Sequence, residues 1–424
     1  MAQTIKTIIR SYESPESNRI IGPHVPNEFK DDMVKIAGKA AGICYMPDDY
    51  LSNGIQNSSA AFKRAENTAN SGHYSTYEHG HVTFIIETNK MMAMILNNMR
   101  LYCTSEKSAR YTAMKPETIL EQEMYDKWTT KFEKIISGLY SDIKSEKDIH
   151  KLAMENARYM ISVFTPTVLE YTIPFNRAVL MVGWLKDIAG EIKSTGKFDE
   201  KGSEDFYQRL YSDCIELSCL IAQEIGITYE DPILTDHKDV RPEFLIYDYE
   251  EIRSSNEHFG DMYTTTYKGS FAMLAQAHRH RTLQYVAYIP DIIHREVYIP
   301  EIIRNTPHEI EWENDAKKLI NKGIMIQGVL LHIREQGSFK DFVLKCKERL
   351  CSRAQLEICR NTEITLHKFI FTSKLLCKSN KELLTSIIDP HIDAKSEIVP
   401  RCGFKGYTCK EPCSLGKNGL NRNI

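Results

Sequence analysis

Apolar residues recur every three or four positions through most of this chain, which is the spacing of an amphipathic helix. The pattern predicts helices at 30–44, 57–71, 90–100, 174–186, 205–226, 313–322 and, as a pair, 338–378, with more helix inside 117–164 that breaks near 137–138 and 145. Two short stretches, 82–87 and 168–173, are rich in β-branched and aromatic residues and predict strands. Helix therefore dominates the predicted fold.

Polar, glycine- and proline-bearing stretches indicate where the chain divides. Residues 189–204 contain three glycines and predict a loop. Mixed charge and two prolines at 231–242 predict a domain boundary. We therefore predict a first domain over 1–230, a second over 231–397, and an irregular, cysteine-containing tail over 398–424.

The sequence Ala-His-Arg-His-Arg at 277–281 follows a short apolar run at 269–276. That run predicts a helix that places Gln276 and Arg279 one turn apart on one face. Charged side chains packed this closely repel one another, so the sequence favours an anion among them, since guanidinium binds phosphate bidentately. A solvated basic turn is the alternative. A nucleic-acid patch is disfavoured because aromatic residues are not interleaved with the basic ones.

Composition indicates an ordinary globular protein. The chain has 424 residues, 42% hydrophobic and 26% charged, with a net charge of −3. No apolar run approaches the roughly 20 residues of a membrane span, and no secretory signal is evident at the N-terminus. The 11 cysteines form no regular framework, and their odd number favours reduced thiols. We expect a cytoplasmic protein without a membrane or nucleic-acid partner.

Three cysteines near the C-terminus are candidate zinc ligands. Cys402, Cys409 and Cys413 would need a fourth ligand, for which His391 or Cys377 is available. Their spacing differs from a standard zinc knuckle, and the surrounding lysines and glycines favour a flexible tail. We therefore predict no metal site, while zinc at these cysteines stays open.

Short motifs in the first half form one part of a pattern. Glu78-His79 stands before the strand at 82–87, and Glu-x-Ser-x-Arg-Tyr occupies 106–111. Arg158 precedes the strand at 168–173. At the end of the helix at 90–100, however, the triplet reads Asn-Met-Arg.

The second half carries the complementary motifs. Gln276 stands three residues before Arg279-His280-Arg281, and Arg349 precedes Ala-Gln-Leu-Glu-Ile at 354–358. Together with the first-half motifs these resemble the signature of the flavin-dependent thymidylate synthases. No Gly-x-Gly-x-x-Gly or Walker A motif is present, which disfavours a Rossmann dehydrogenase or a P-loop enzyme.

The resemblance implies an α/β fold of the α+β kind, with two tandem domains like the thymidylate synthase complementing proteins, rich in helices and with small antiparallel sheets. In the family the nucleotide pocket lies between subunits. Here each half has lost what the other retains, so we infer a fused pair with a single complete pocket. The family forms tetramers, which implies a homodimer of this chain.

The resemblance also implies roles for individual residues. The proposed catalytic residue is Arg349, which would stabilise charge on the uracil ring. The residues expected to bind dUMP are Gln276, Arg279, Glu106, Ser108, Arg110 and Arg158. The residues expected to contact FAD are Arg279, His280, Arg281, Ser75, Glu78, His73 and Asn176.

The implied reaction is the reductive methylation of dUMP to dTMP. Methylenetetrahydrofolate would give the carbon, FAD would carry the hydride, and NADPH would act as reductant. Two alternatives remain open. One is a related flavin and folate enzyme with another product, such as a hydroxymethyl group, and the other is a non-catalytic protein that binds nucleotide or flavin.

Overall fold

The protein is described here from a computed structural model. The described residues are 6–14, 19–21, 26–45, 58–71, 73–99, 102–108, 114–141, 143, 145–199, 204–227, 252, 256–373, 398–403, 407–410, 413 and 420–424. Across those residues, the search for an apolar helix of membrane-spanning length found none.

Helices and short antiparallel strands alternate along the chain. The strands are β1 Lys6–Ser14, β2 Arg19–Ile21, β3 His81–Asn89, β4 Cys103–Glu106, β5 Pro166–Pro174, β6 His258–Phe259, β7 Met262–Ser270, β8 Gln284–Tyr288 and β9 Leu330–Ser338. The helices are α1 Pro26–Tyr45, α2 Ser58–Asn70, α3 Lys90–Leu96, α4 Ile119–Leu139, α5 Glu146–Ala157, α6 Phe175–Ser194, α7 Glu204–Glu224, α8 Phe271–Ala277, α9 Pro307–Ile320, α10 Phe339–Arg349 and α11 Leu356–Ser373. The predicted helix-rich fold with small antiparallel sheets is confirmed.

The strands form two sheets with similar connectivity. The first has the order β2-β1-β3-β5-β4, and the second has the order β6-β7-β9-β8. In each sheet a nine-residue strand, β3 or β7, runs directly into a seven-residue helix, α3 or α8. In each, a later nine-residue strand, β5 or β9, pairs antiparallel with it along its whole length.

The chain folds into two compact units that are interleaved in sequence. The first unit comprises Met1–Lys107, Pro166–Asp199 and Glu204–Pro242. The second comprises Ser108–Thr165, Glu200–Ser203 and Glu243–Ile424. Helices α4 and α5 therefore belong to the second unit, although they lie within the sequence of the predicted first domain. The division predicted near residue 231 stays a prediction.

The first unit is organised around β3 and the helix that follows it. Alternate side chains of β3, Val82, Phe84 and Ile86, are fully buried, as expected for a strand with one face on the core. Asn89 then begins α3, because its side-chain oxygen accepts from the backbone N–H of Met92 at 3.0 Å.

In the second unit, the segment after α5 pairs with a segment far along the chain. The backbone N–H of Val163 donates to Met325 O at 2.9 Å, and that of Gln327 donates to Ile161 O at 2.8 Å. The N–H of Gly328 donates to Tyr159 O at 2.9 Å, and a Cβ at this glycine would lie only 2.9 Å from the same oxygen. This close approach requires glycine, because any side chain would push the two backbones apart.

Helices α4 and α9 pack against each other through aromatic rings. The ring centroids of Trp128 and Trp312 lie 4.8 Å apart in an edge-to-face arrangement, and both side chains are buried. Beside them, Lys127 Nζ lies 2.5 Å from a carboxylate oxygen of Asp315, and Lys131 is paired with Glu311. The aromatic contact stabilises this pair more than the half-exposed ion pairs do.

Several sequence predictions at element boundaries were wrong. Residues 189–194 belong to α6 and not to a loop, because Ala189 and Ile192 are buried on the inner face of the helix. The stretch 282–289 was read as a turn, but its middle forms strand β8, paired with β9. The polar run that begins at residue 101 contains strand β4, which pairs with β5.

A buried ion pair joins β9 to α10. Lys345 Nζ lies 2.5 Å from Glu335 Oε2, and neither side chain is exposed. The hydroxyl groups of Tyr263 and Tyr267 donate to the two oxygens of Glu335 at 2.6 and 2.5 Å. The carboxylate is therefore satisfied by one cation and two hydroxyl donors.

We expect Lys345→Met to lower the free energy of unfolding by about 3–5 kcal/mol, because it leaves the Glu335 carboxylate buried without its cation. Urea unfolding followed by circular dichroism measures this loss. The double variant Lys345→Met with Glu335→Gln should recover much of it. A loss of the same size in both variants would contradict the ion-pair explanation.

Candidate functional site

Glu357 is the centre of a buried network in the second unit. Its Oε1 accepts from the backbone N–H of Ser270 at 2.7 Å, and its Oε2 accepts from Ser270 Oγ at 2.6 Å. The hydroxyl of Tyr159 also donates to Oε2, at 3.0 Å. Burial raises the pKa of Glu357, and these hydrogen bonds act in the opposite direction. The carboxylate thus joins α11, the junction of β7 with α8, and the segment that follows α5.

Gln355 extends the network from the same turn of α11. Its Nε2 donates to the hydroxyl of Tyr159, while its Oε1 is buried and has no hydrogen-bond partner among the described residues. Burial, together with the nearby Glu357 charge, raises the pKa of Tyr159 well above its ordinary value, so this phenol stays protonated.

Arg158 is a buried cation next to this network. The residue is 3% exposed, and its Nε and Nη2 have no hydrogen-bond partner among the described residues. Its guanidinium carbon lies 5.8 Å from the centroid of the Tyr159 ring. No carboxylate of the described residues forms an ion pair with it. A buried charge without a partner is costly, and an anion with several acceptor oxygens would remove that cost.

Gln276 offers a second polar group without a partner. It lies in the last turn of α8, and both atoms of its side-chain amide are buried with no hydrogen bond to the described residues. The helix begins at Ser270, whose Oγ accepts from the N–H of Met273 at 3.0 Å, so the Glu357 network fixes its start. It ends at Ala277, so Arg279 lies in the turn after the helix and not within it as predicted.

The basic stretch after α8 alternates between the core and the surface. His278 and His280 are 2% and 7% exposed, whereas Arg279 and Arg281 are exposed. Burial lowers the pKa of His278 to about 3. Burial, with the charges of Arg349 and Lys345, lowers the pKa of His280 to about 2. The structure corrects the premise of a tight cluster of cations, because both imidazoles are neutral and only the two guanidiniums are charged.

His280 holds the guanidinium of Arg349. Arg349 Nε donates to His280 Nε2 at 2.7 Å, and its Nη2 donates to the carbonyl oxygen of Gln276 at 3.3 Å. Because the imidazole is neutral and accepts at Nε2, its proton is on Nδ1, which lies 3.8 Å from Glu348 Oε2. Two contacts in different directions fix the plane of this cation, whose side chain is 12% exposed.

The predicted site residues Glu106 and Ser108 lie at and after the end of β4. Glu106 Oε1 accepts from Lys90 Nζ at 2.5 Å and from Thr167 Oγ1 at 3.1 Å within the first unit. The side chains of Lys90 and Glu106 are 11% and 8% exposed. Glu106 is therefore engaged in a largely buried ion pair. Ser108 is half-buried.

The other first-unit candidates surround Glu78. Its Oε1 accepts from Arg177 Nη2 at 3.1 Å and from Asn176 Nδ2 at 3.4 Å. Asn176 is buried, whereas Ser75 and His73 are exposed. Arg110 lies outside the described residues, as do the alternative zinc ligands His391 and Cys377.

Comparison with known proteins points to one family. Residues 28–177 match the family model of the thymidylate synthase complementing proteins, Thy1. Residues 28–177 belong to that family. The match spans about a third of the chain and includes Glu106 and Arg158, whereas Gln276 and Arg349 lie beyond it. No curated protein matches the chain.

Two solved structures are among those similar to this chain. One is the UMP/dUMP methylase PolB from Streptomyces cacaoi bound with 5-Br dUMP, 16% identical, with a TM-score of 0.29, covering 42% of this chain and 77% of PolB. The other is the flavin-dependent thymidylate synthase ThyX from Helicobacter pylori complexed with FAD and dUMP, 19% identical, with a TM-score of 0.26, covering 50% and 99%.

Sequence reasoning assigned no role to four residues of this network: Tyr159, Ser270, Gln355 and Glu357. Gln355 and Glu357 were present in the family-like motif after Arg349, but the motif does not reveal that they act by holding other elements. Tyr159 follows Arg158 directly, and a polar phenol beside an expected anion ligand was the available signal. Ser270 carried a weaker signal, as a serine directly before an apolar helix.

The two buried histidines should make the folded state less stable in acid. In the unfolded chain their pKa is about 6.5, so between pH 6 and 4 the unfolded state binds about two more protons than the folded one. Stability is complete above the unfolded pKa and falls with the pH, by about 1.4 kcal/mol per pH unit for each histidine. Urea unfolding at several pH values measures the slope.

A variant pair isolates the contribution of His278, which packs edge-to-face on Tyr285 at 5.6 Å. His278→Phe should reduce the slope below pH 6 by about 1.4 kcal/mol per pH unit. His367→Gln, at an exposed position of α11, should leave it unchanged. Equal slopes in all three proteins would show that His278 takes up its proton in the folded state.

Proposed function

We propose that this protein is a flavin-dependent enzyme that modifies the uracil ring of dUMP, and that its product is dTMP. The observation that carries the proposal is the buried guanidinium of Arg158, with two nitrogens that have no partner among the described residues. The phosphate of a nucleotide supplies acceptor oxygens and negative charge, which are what such a group lacks. The family match over residues 28–177 includes Arg158 and supports this assignment.

Gln276 and Gln355 complete the polar set that we assign to the nucleotide. The amide of Gln276 has a donor and an acceptor without partners, as a uracil edge or a phosphate requires, and Gln355 offers an unpaired acceptor. We assign Arg349 to the carbonyl edge of the ring, where a fixed guanidinium stabilises negative charge that develops during attack by carbon 5. No cysteine or serine nucleophile is required by this scheme.

We assign Arg279 and Arg281 to FAD. Both are exposed guanidiniums in the turn after α8, and they fit the diphosphate of such a cofactor. FAD would supply the hydride, with methylenetetrahydrofolate as carbon donor and NADPH as reductant. His280 fits a different role from the flavin contact expected from sequence, since its ring positions Arg349. Ser75, Glu78, His73 and Asn176 remain proposed flavin contacts, and Glu106, Ser108 and Arg110 remain proposed nucleotide contacts.

We further propose that the chain arose as a fusion of two family domains. The similar connectivity of the two sheets, with β3-α3 matching β7-α8 and β5 matching β9, supports this origin. The membership of residues 108–165 in the second unit supports the idea that the first half lends Arg158 to residues of the second. We retain a homodimer of this chain as the expected assembly.

The substrate assignment is tested by replacing Arg158 with glutamine. We expect KM for dUMP to rise about 10- to 100-fold, since a charged hydrogen bond contributes about 1.5–3 kcal/mol. Activity on deoxyuridine, which lacks the phosphate, should be unchanged. The thermal midpoint of the nucleotide-free protein should stay level or rise, because a buried unpaired charge has been removed.

Arg304→Gln, at an exposed arginine of the second unit, is the matched control and should leave KM for dUMP unchanged. An Arg158→Gln protein that melts early yet binds dUMP normally would overturn the phosphate assignment. Product analysis by mass spectrometry separates dTMP from a hydroxymethyl product. A purified protein that binds neither FAD nor dUMP would favour the non-catalytic alternative.

The role of Arg349 is tested by substitution with alanine and with lysine. We expect Arg349→Ala to lower kcat about 100- to 1,000-fold, while flavin absorbance is retained. Arg349→Lys keeps the charge but not the fixed fork, so it should recover little activity. Flavin loss combined with normal turnover would contradict this role.

A further inference from the structure

One cavity of the second unit is lined by four cysteines from two distant parts of the chain. Cys351 follows α10, and Cys402, Cys409 and Cys413 belong to the C-terminal tail. The cavity has a volume of about 460 Å³, and all four thiols are free and partly buried. Four thiols on one cavity wall match the ligand number of a structural zinc site.

The four sulfurs are close enough to influence one another. Burial raises the pKa of the Cys402 thiol, and the neighbouring thiols of Cys413, Cys351 and Cys409 raise it further. Cys351 Sγ also accepts from the backbone N–H of Arg353 at 3.5 Å, a contact that favours a thiolate. Cys402 thus has three sulfur neighbours, whereas a disulfide would require one.

The described tail residues are held against the segment that carries Cys351. The backbone N–H of Arg401 donates to Leu350 O at 2.7 Å. Further along, Arg422 is 3% exposed and its Nη2 donates to Ala354 O at 2.6 Å. Arg360 Nη1 donates to Leu420 O at 2.6 Å. These contacts lie on both sides of the three tail cysteines, so the fold itself brings them to Cys351.

The charge around the cavity suits a metal bound by thiolates. Four thiolates around Zn²⁺ carry a net charge of −2. The cavity wall contains the cations Arg353, Arg401 and Lys410, against the single carboxylate of Glu348. The same cations favour deprotonation of the thiols, which metal binding requires.

We propose that Cys351, Cys402, Cys409 and Cys413 bind one Zn²⁺ in a closed structural site. No three metal-ligating side chains of the described residues already stand at coordinating geometry. With Zn–S bonds of about 2.3 Å, binding must therefore draw the sulfurs inward by rotation of their side chains. This assignment replaces the fourth ligand suggested by sequence, His391 or Cys377, with Cys351.

The site would have a defined structural consequence. It would clamp the connection between Arg349 and Gln355, because Cys351 lies within it. Only this consequence rests on the proposed function, and the metal content of the protein tests the site independently of any activity.

The test uses the full chain, purified without a histidine tag. We expect about one zinc per chain by elemental analysis, and the metal-free protein titrated with Co²⁺ should show thiolate-to-cobalt charge transfer and tetrahedral d–d bands. Cys351→Ser should lose zinc and weaken Co²⁺ binding at least tenfold. Cys351→His should retain the metal with an altered cobalt spectrum, as expected for three thiolates and one imidazole.

Cys103→Ser, at an exposed cysteine of the first unit, is the matched control and should bind metal like the unaltered protein. Full metal affinity in Cys351→Ser would overturn the four-cysteine assignment. Absence of zinc together with a cobalt spectrum lacking thiolate bands would overturn the site, as would a disulfide among these cysteines under reducing purification. Iron with acid-labile sulfide in place of zinc would overturn the choice of metal.

Discussion

The carboxylate of Glu357 is the contact on which the proposed nucleotide site depends. It is 4% exposed, and its two oxygens accept from Ser270 and Tyr159, residues that come from three separate parts of the sequence together with α11. A buried carboxylate is stable only when its acceptor sites are filled, so the three segments must be in register for the unit to be stable. The same contact fixes the start of α8, and therefore the position of Gln276 at its end.

The backbone repeats this connection independently of the carboxylate. Gln327 donates its N–H to Ile161 and accepts from the N–H of Ala272 at 3.1 Å, so one short segment joins the residues after Arg158 to the first turn of α8. A hydrogen-bonded backbone positions side chains more precisely than side-chain packing alone, because each bond restricts both distance and direction. Arg158 and Gln276 are therefore placed by a rigid frame, although more than 100 residues separate them in sequence.

Sequence could predict the helices, and it could not predict where the short strands lie. Helix α6 was found but ended too early, because Gly190 and the polar residues around it indicated a loop, whereas burial of Ile192 continues the helix. Strands β4 and β8 were missed because four or five residues give too short a pattern, and their strand conformation depends on partners far along the chain. The alternation of buried histidines and exposed arginines after α8 was likewise set by packing.

The motifs carried more information than the periodicity, for a physical reason. Arg158 and Arg349 are single charged residues, and in a buried setting a charge must be matched by specific partners, so its place is constrained by chemistry and not by an average. Arg349 is held by neutral His280, and it begins the connection that Arg401 and Arg422 bind through their contacts with Leu350 and Ala354. Its guanidinium is thus held at one end by a ring that cannot carry a proton at neutral pH, and at the other by the C-terminal tail. A cation fixed in this way needs no reorganisation to meet a developing negative charge, which is the property that an electrostatic catalyst requires.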